Sequence, residues 1–228
     1  MKERPILFNG AMVRALLAGT KTQTRRVVKK SESWPMSAVR ATMLESRGTA
    51  MAVDAQRLTY GPEIKCPYGQ PGDRLWVRET WQGPLLQEFE IDADPDWHYA
   101  SHIHQYQNPA HCEYAADGGP SPEYTDADDV MRQGWRPSIH MPHWASRITL
   151  EITSVRVERL QDISEADALA EGIVRQPDGG YGLADTTHYH HTDPSQSYLS
   201  LWEAINGEGS VEANPWVWVV EFRSTHPC

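Results

Sequence analysis

No stretch of this 228-residue chain is apolar over the length needed to cross a bilayer, and Met1-Lys2-Glu3-Arg4-Pro5 lacks the apolar core of a secretory leader. Cysteine is scarce. Cys66, Cys112 and Cys228 are scattered, odd in number and without a C-x-x-C pair, which suits a reducing compartment. A cytoplasmic protein with no membrane contact is therefore expected. The chain also lacks a phosphate-binding P-loop, a dinucleotide fingerprint, an internal repeat and any low-complexity tract.

What is present describes a folded chain: 39% hydrophobic residues and nine tryptophans exclude general disorder. The formal charge of −10 argues against a protein that coats nucleic acid indiscriminately. Its distribution says more. Residues 1–40 carry nine Lys/Arg against two Glu, whereas residues 82–133 carry eleven Asp/Glu against the single Arg132. A local cationic surface is thus compatible with the acidic total.

Periodicity predicts a strand near Pro5–Phe8 and a helix from about Gly10 to Ala18, with Gly19 as its C-terminal glycine. Further strands are expected at Leu75–Val77, at Ile148–Val157 with a bulge near Ser154, and at Trp216–Phe222. Ser164 followed by Glu165 and closed by Gly172 frames a two-turn helix, and Tyr198, Leu201, Trp202 and Ile205 mark another. Trp135–Pro142, with two prolines, reads as an extended crossing segment. Residues 31–71 read as a loop-rich excursion, 82–133 as an acidic insertion with room for a short hairpin, and 175–196 as a second polar excursion. The sum is an α+β, mainly β chain of one domain over 1–228, a small partly closed β-barrel with short flanking helices and long loop insertions.

The most distinctive stretch is Gly19-Thr20-Lys21-Thr22-Gln23-Thr24-Arg25-Arg26, cationic and free of acid. On these residues alone it fits a solvated basic strand as well as the mouth of a site for an anionic or carbonyl-bearing ligand. Gly19-x-Lys21-x-x-Thr24-x-Arg26, Gly72-Asp73-Arg74-Leu75-Trp76-Val77-Arg78-Glu79 and Ala170-Glu171-Gly172-Ile173, in that order, resemble the ASCH domain. The segments Trp135–Arg147 and Asn214–Val219 resemble the longer ASCH proteins of phages and prophages. The resemblance covers roughly residues 5–30, 68–81, 135–175 and 198–223. It implies a PUA-like β-barrel associated with RNA and modified-nucleotide recognition.

Thr24 stands where the general family often has glutamate, and there the chain is similar to small bacterial ASCH enzymes that hydrolyse N4-acetylcytidine. That resemblance implies Lys21, Thr24 and Glu171 as catalytic residues. Thr24 would supply the hydroxyl, Lys21 the base, and Glu171 would orient the ammonium or shuttle a proton to the departing amine. Arg25 and Arg26 would contact a carbonyl, a phosphate or the developing oxyanion, Trp76 would stack on a base, and Ser138 and His140 would line the cleft. In an ideal strand Lys21 and Thr24 face opposite ways, so their convergence requires a turn or bulge. Glu165 and Glu79 are rival carboxylates, and Glu79 is expected to pair with Arg74 or Arg78.

The expected partner is a modified pyrimidine nucleoside, or a nucleic acid containing it, with no cofactor. Two histidine groups, His98, His102, His104 and His111 with Cys112, and His188, His190 and His191, match no established zinc spacing, so no metal is expected. The alternatives are a non-catalytic RNA- or DNA-binding module using the same cleft, and a ribonuclease.

Overall fold

A computed structural model describes residues 1–29, 40–44, 49–54, 59–60, 62–86, 102–125, 130–184 and 191–225. Fifteen strands and three α-helices follow one another among them. The strands are β1 (Glu3–Leu7), β2 (Gln23–Val27), β3 (Arg40–Leu44), β4 (Thr49–Asp54), β5 (Thr59–Tyr60), β6 (Ile64–Lys65), β7 (Arg74–Arg78), β8 (Trp81–Gln82), β9 (Glu113–Tyr114), β10 (Glu123–Thr125), β11 (Met131–Gln133), β12 (Thr149–Arg159), β13 (Ile173–Arg175), β14 (Tyr181–Leu183) and β15 (Trp216–Ser224). The helices are α1 (Gly10–Leu17), α2 (Glu165–Ala170) and α3 (Pro194–Asn206). No helix among the described residues is long and apolar enough to cross a membrane.

The fold is α+β and mainly β, dominated by a five-stranded sheet of order β1–β7–β12–β15–β2. The chain divides into two compact units, one of Met1–Arg4, Ala15–Leu75 and Leu150–Cys228, the other of Pro5–Arg14 and Trp76–Thr149. The boundary falls inside β1, α1, β7 and β12.

In the first unit, β15 pairs antiparallel with β12 on one side and with β2 on the other. β15 is the unit's most buried strand, with Trp216–Val220 all inside. Its run of bulky β-formers is what a strand covered on both faces requires. The register of β12 on β15 shifts between Ile152 and Ser154, the irregularity expected near Ser154. Among the described residues the sheet does not close into a barrel. The start of the β2 edge is occupied instead by the C-terminus of α2. Thr22 N donates to Ala170 O at 2.8 Å, and Lys21 and Glu171 form an isolated antiparallel bridge. The stretch expected to be loop-rich carries a small antiparallel sheet in which β4 pairs with β3, β5 and β6. Its strands of two to six residues are too short to leave a clear alternation in the sequence.

The second unit packs Trp81, Tyr114, Met141 and Ala145 as a core cluster, with Trp144 edge-on to Trp81 at 5.5 Å. The described part of the acidic insertion contains the hairpin β10–β11 and the pair β8–β9. The segment Trp135–Pro142 is extended only as far as Arg136, which bridges to Trp81. It then turns, because Pro137 and Pro142 each cap the start of a short 3-10 helix, at Ser138–His140 and His143–Ala145.

Candidate functional site

Two glycines shape the first unit's buried ionic cluster. Gly19, at φ +71°, ends α1, and Thr20 N and Lys21 N both then donate to Ala15 O. Gly172, at φ +98°, follows the C-terminus of α2, and a Cβ there would lie 3.1 Å from Ala15 Cβ and 3.4 Å from Lys21 Cβ. Only glycine gives both that backbone conformation and that close approach. Helix α2 itself is fixed by a capping box. Ser164 Oγ accepts from Asp167 N, and Asp167 reaches back to the backbone of Ser164.

Between these turns Lys21 Nζ donates to Glu171 Oε2 at 2.7 Å and to Glu171 O at 2.8 Å. The Lys21 side chain is 0% exposed and that of Glu171 2%. Arg25 Nη1 donates to Glu171 Oε1 at 3.1 Å, and its Nη2 meets Glu158 Oε1 at 2.5 Å and Asp167 Oδ2 at 3.3 Å. Gln23 Nε2 donates to Asp167 O at 2.9 Å. Arg156 closes the network through Glu158, Asp167 and Glu221. The sheet register explains this convergence. Arg25, Val219 and Arg156 lie in one row across β2, β15 and β12, so both arginines face α2 from the same side.

Burial lowers the Lys21 pKa from its ordinary value; Glu171 opposes the shift, while Arg26 and Arg25 add to it. Burial pushes Asp167 up, but the Ser164 hydroxyl and the charges of Arg156 and Arg25 outweigh it and bring its carboxyl down to about 2. Chemically, a buried amine whose pKa is lowered is a candidate general base.

Of the residues expected in the site, Lys21 and Glu171 are thus brought into contact. Thr24 is 3% exposed and takes the alternate position of β2, in the row of Val220 and Val155. Among the described residues no hydrogen bond joins its hydroxyl to Lys21 or Glu171. Lys21 lies before the β2 ladder begins at Gln23, so strand alternation does not fix its direction relative to Thr24. Arg26 is half-buried, and its charge acts on Lys21.

Arg25 requires a correction. It was expected to contact substrate, but its side chain is 0% exposed and its guanidinium is turned onto three carboxylates. It holds Glu171 in place. Glu165 is exposed in the first turn of α2.

Trp76, Ser138 and His140 belong to the second unit. Trp76 is half-buried, edge-on to His143 at 5.2 Å and 5.4 Å from the Arg78 guanidinium. Ser138 opens a 3-10 turn and exposed His140 ends it. Glu79 pairs with Arg147, at 2.9 and 3.0 Å, rather than with Arg74 or Arg78. Those two share the half-exposed face of β7 with Trp76, whereas Glu79 continues the buried positions of Leu75 and Val77. His98, His188 and His190 lie outside the described residues.

Sequence reasoning placed Tyr198 on a helical stripe and assigned it no part in the site. It sits on the apolar stripe of α3 and is 4% exposed, with the Arg25 guanidinium 5.7 Å from its ring centre. Burial first, then the Glu171 carboxylate, raises its pKa well above the usual tyrosine value. Its one legible signal is a hydroxyl among the otherwise apolar Leu201, Trp202 and Ile205. Arg156 and Glu158 were equally hidden, since on sequence they are the outward positions of an alternating strand. Comparison of the chain with family models, with curated proteins and with solved structures returns no match.

Proposed function

We propose that this chain is a metal-free amide hydrolase acting on N4-acylated cytidine or a related modified nucleoside, built on an ASCH-type, PUA-like fold. The observation that carries the reading is the buried contact of Lys21 Nζ with the Glu171 carboxylate at 2.7 Å, next to β2, which bears Thr24 and Arg26. The pair is further supported by the Arg25 guanidinium, which binds the other oxygen of the Glu171 carboxylate at 3.1 Å.

In the proposed reaction Lys21, as the neutral amine, takes the proton of the Thr24 hydroxyl while that oxygen attacks the acyl carbon. The C–N4 bond then breaks, N4 receives the proton from the Lys21 ammonium, and the amine product leaves. Water, deprotonated by the same amine, cleaves the Thr24 ester, releases the carboxylic acid and restores the hydroxyl. Glu171 holds the Lys21 amine in position throughout.

The test is release of cytidine from N4-acetylcytidine by the purified protein. The wild type turns over, and Lys21→Met, Thr24→Ala and Glu171→Gln each lose about 10²-fold or more, the usual scale for an acid–base group. No turnover by the wild type, or full rates in the variants, refutes the reading. A binding module without chemistry is the second reading. It is favoured by the cluster of Trp76, His143 and Arg78, the mix of aromatic and cationic groups that stacks on single-stranded bases. Salt-sensitive binding of an oligonucleotide that is lost in Trp76→Ala, without turnover, would select it.

A further inference from the structure

We propose that the first unit carries a binding pocket for a phosphomonoester dianion, formed by Lys2, Arg4 and Lys65 around the turn that leads into β7. The pocket has a volume of about 140 Å³ and is lined by these three residues and by Gly69, Gln70 and Asp73, together with Met1. A single water needs about 10–15 Å³, so a phosphate group fits with its nearest waters. The pocket lies beside β1, at the opposite end of the sheet order from β2, and is therefore separate from the Lys21–Glu171 pair. It does not depend on the amide-hydrolase reading.

The turn is shaped to hold Arg4. Asp73, 7% exposed, accepts from Lys2 N at 2.8 Å through Oδ1, and from Arg4 Nη1 at 3.1 Å and Gln70 N at 3.4 Å through Oδ2. Gly69 makes room for this contact. At φ +129°, a Cβ there would lie 2.8 Å from Arg4 Nη1 and 3.0 Å from Asp73 Oδ2. Both Asp73 oxygens are thus filled, while Arg4 uses only Nη1, which also reaches Tyr68 O at 3.5 Å. The Nε–Nη2 edge, which makes bidentate contact with oxyanions, has no partner among the described residues. Among those residues the Lys2 and Lys65 ammonium groups also enter no ion pair or hydrogen bond. Burial pushes Asp73 up, but the Lys2 N–H and Arg4 outweigh it and hold the carboxyl below its ordinary value, so it stays ionised. Three cationic side chains against this one carboxylate leave the lining with a net charge of +2. A cleft of one sign concentrates its field on an anion. A phosphomonoester carries a charge of about −1.5 to −2 at neutral pH and matches the lining. A phosphodiester or a carboxylate, singly charged, would leave half of it uncompensated.

The experiment is isothermal titration calorimetry of the full chain, at low salt, with inorganic phosphate, adenosine 5′-monophosphate and adenosine. Phosphate and the monophosphate are expected to bind, and adenosine is not. Lys2→Gln and Lys65→Gln change exposed side chains and spare the Lys2 N–H that holds Asp73. Each is expected to weaken binding about tenfold, the scale of one hydrogen bond to a charged group. Arg223→Gln removes an equal charge from an exposed position of β15 and is expected to leave the affinity unchanged. Lowering the pH from about 7.5 to about 5, below the second phosphate pKa of about 6, is expected to weaken binding as well. Tighter binding of the monophosphate than of phosphate supports the pocket and identifies a nucleotide as its ligand. Binding of phosphate alone supports it as a site for the free anion. No binding of either probe, undiminished affinity in both lysine variants, or an equal loss in Arg223→Gln overturns the inference. None of these outcomes bears on turnover of N4-acetylcytidine, so the hydrolase reading stands or falls by its own assay.

Discussion

Replacing Glu171 by glutamine removes one negative charge from the centre of the first unit and leaves its shape nearly intact. Lys21, 0% exposed in its side chain, then loses the carboxylate that it meets at 2.7 Å, and Arg25 retains its contacts with Glu158 and Asp167. Breaking a buried pair by removing one partner costs about 3–5 kcal/mol. For a chain of this size each kcal/mol moves the melting midpoint by about 2–4 °C, so a drop of about 6–20 °C is expected.

The pH dependence gives the sharper test. Burial already lowers the Lys21 pKa, and Glu171 is its main opposing influence, so the variant lowers it further. A lysine whose folded pKa is depressed binds fewer protons folded than unfolded between the two values, and stability rises with pH across that window. In Glu171→Gln the window opens at lower pH. The deficit against wild type is therefore largest in mildly acidic buffer and shrinks as pH rises towards the ordinary lysine value of 10.5. Urea unfolding of both proteins at several pH values reads this directly. A deficit below about 1 kcal/mol, the scale of an exposed pair, would show that the contact is not a desolvated ion pair. A deficit that does not change with pH would refute the role given to Lys21.

Two further outcomes follow from the same geometry. Gly172→Ala puts a side chain at φ +98° and 3.1 Å from Ala15 Cβ. It should cost at least the roughly 1–2 kcal/mol of a left-handed non-glycine residue and, by shifting Glu171, cut turnover. Chemical denaturation with a parallel activity assay measures both effects. Asp167, held down to about 2 against its ordinary 3.8, contributes stability that is complete above 3.8 and is lost as pH falls through about 2. Acid unfolding of Asp167→Asn should therefore show a shallower limb between pH 4 and pH 2 than the wild type, and an identical limb would count against the Arg156–Asp167–Arg25 bridge.

Local order was readable without coordinates wherever a short-range rule applies. The apolar spacing of α1 and its closing Gly19, the Ser164 cap of α2, the stripe of α3 and the dense β-formers of β15 all involve residues a few positions apart, whose physics is complete within one or two turns. Lys21 and Glu171 were singled out only through the resemblance of their motifs to the ASCH enzymes, and their contact was not readable, because 150 positions separate them. Only the register of β12, β15 and β2, together with the docking of α2 on the β2 edge, brings them to 2.7 Å. The same register turned Arg25 inward and placed Arg156 and Glu158 beside it, while β7 left Glu79 to Arg147. Tyr198 passed for a core residue because a helical stripe says which side is buried and nothing about what it is buried against. Sequence determined the longer helices and strands, but not the short strands β3–β6 and β14. Tertiary structure decided which charge meets which, since the choice of a distant partner is an outcome of global packing and no neighbouring residue encodes it.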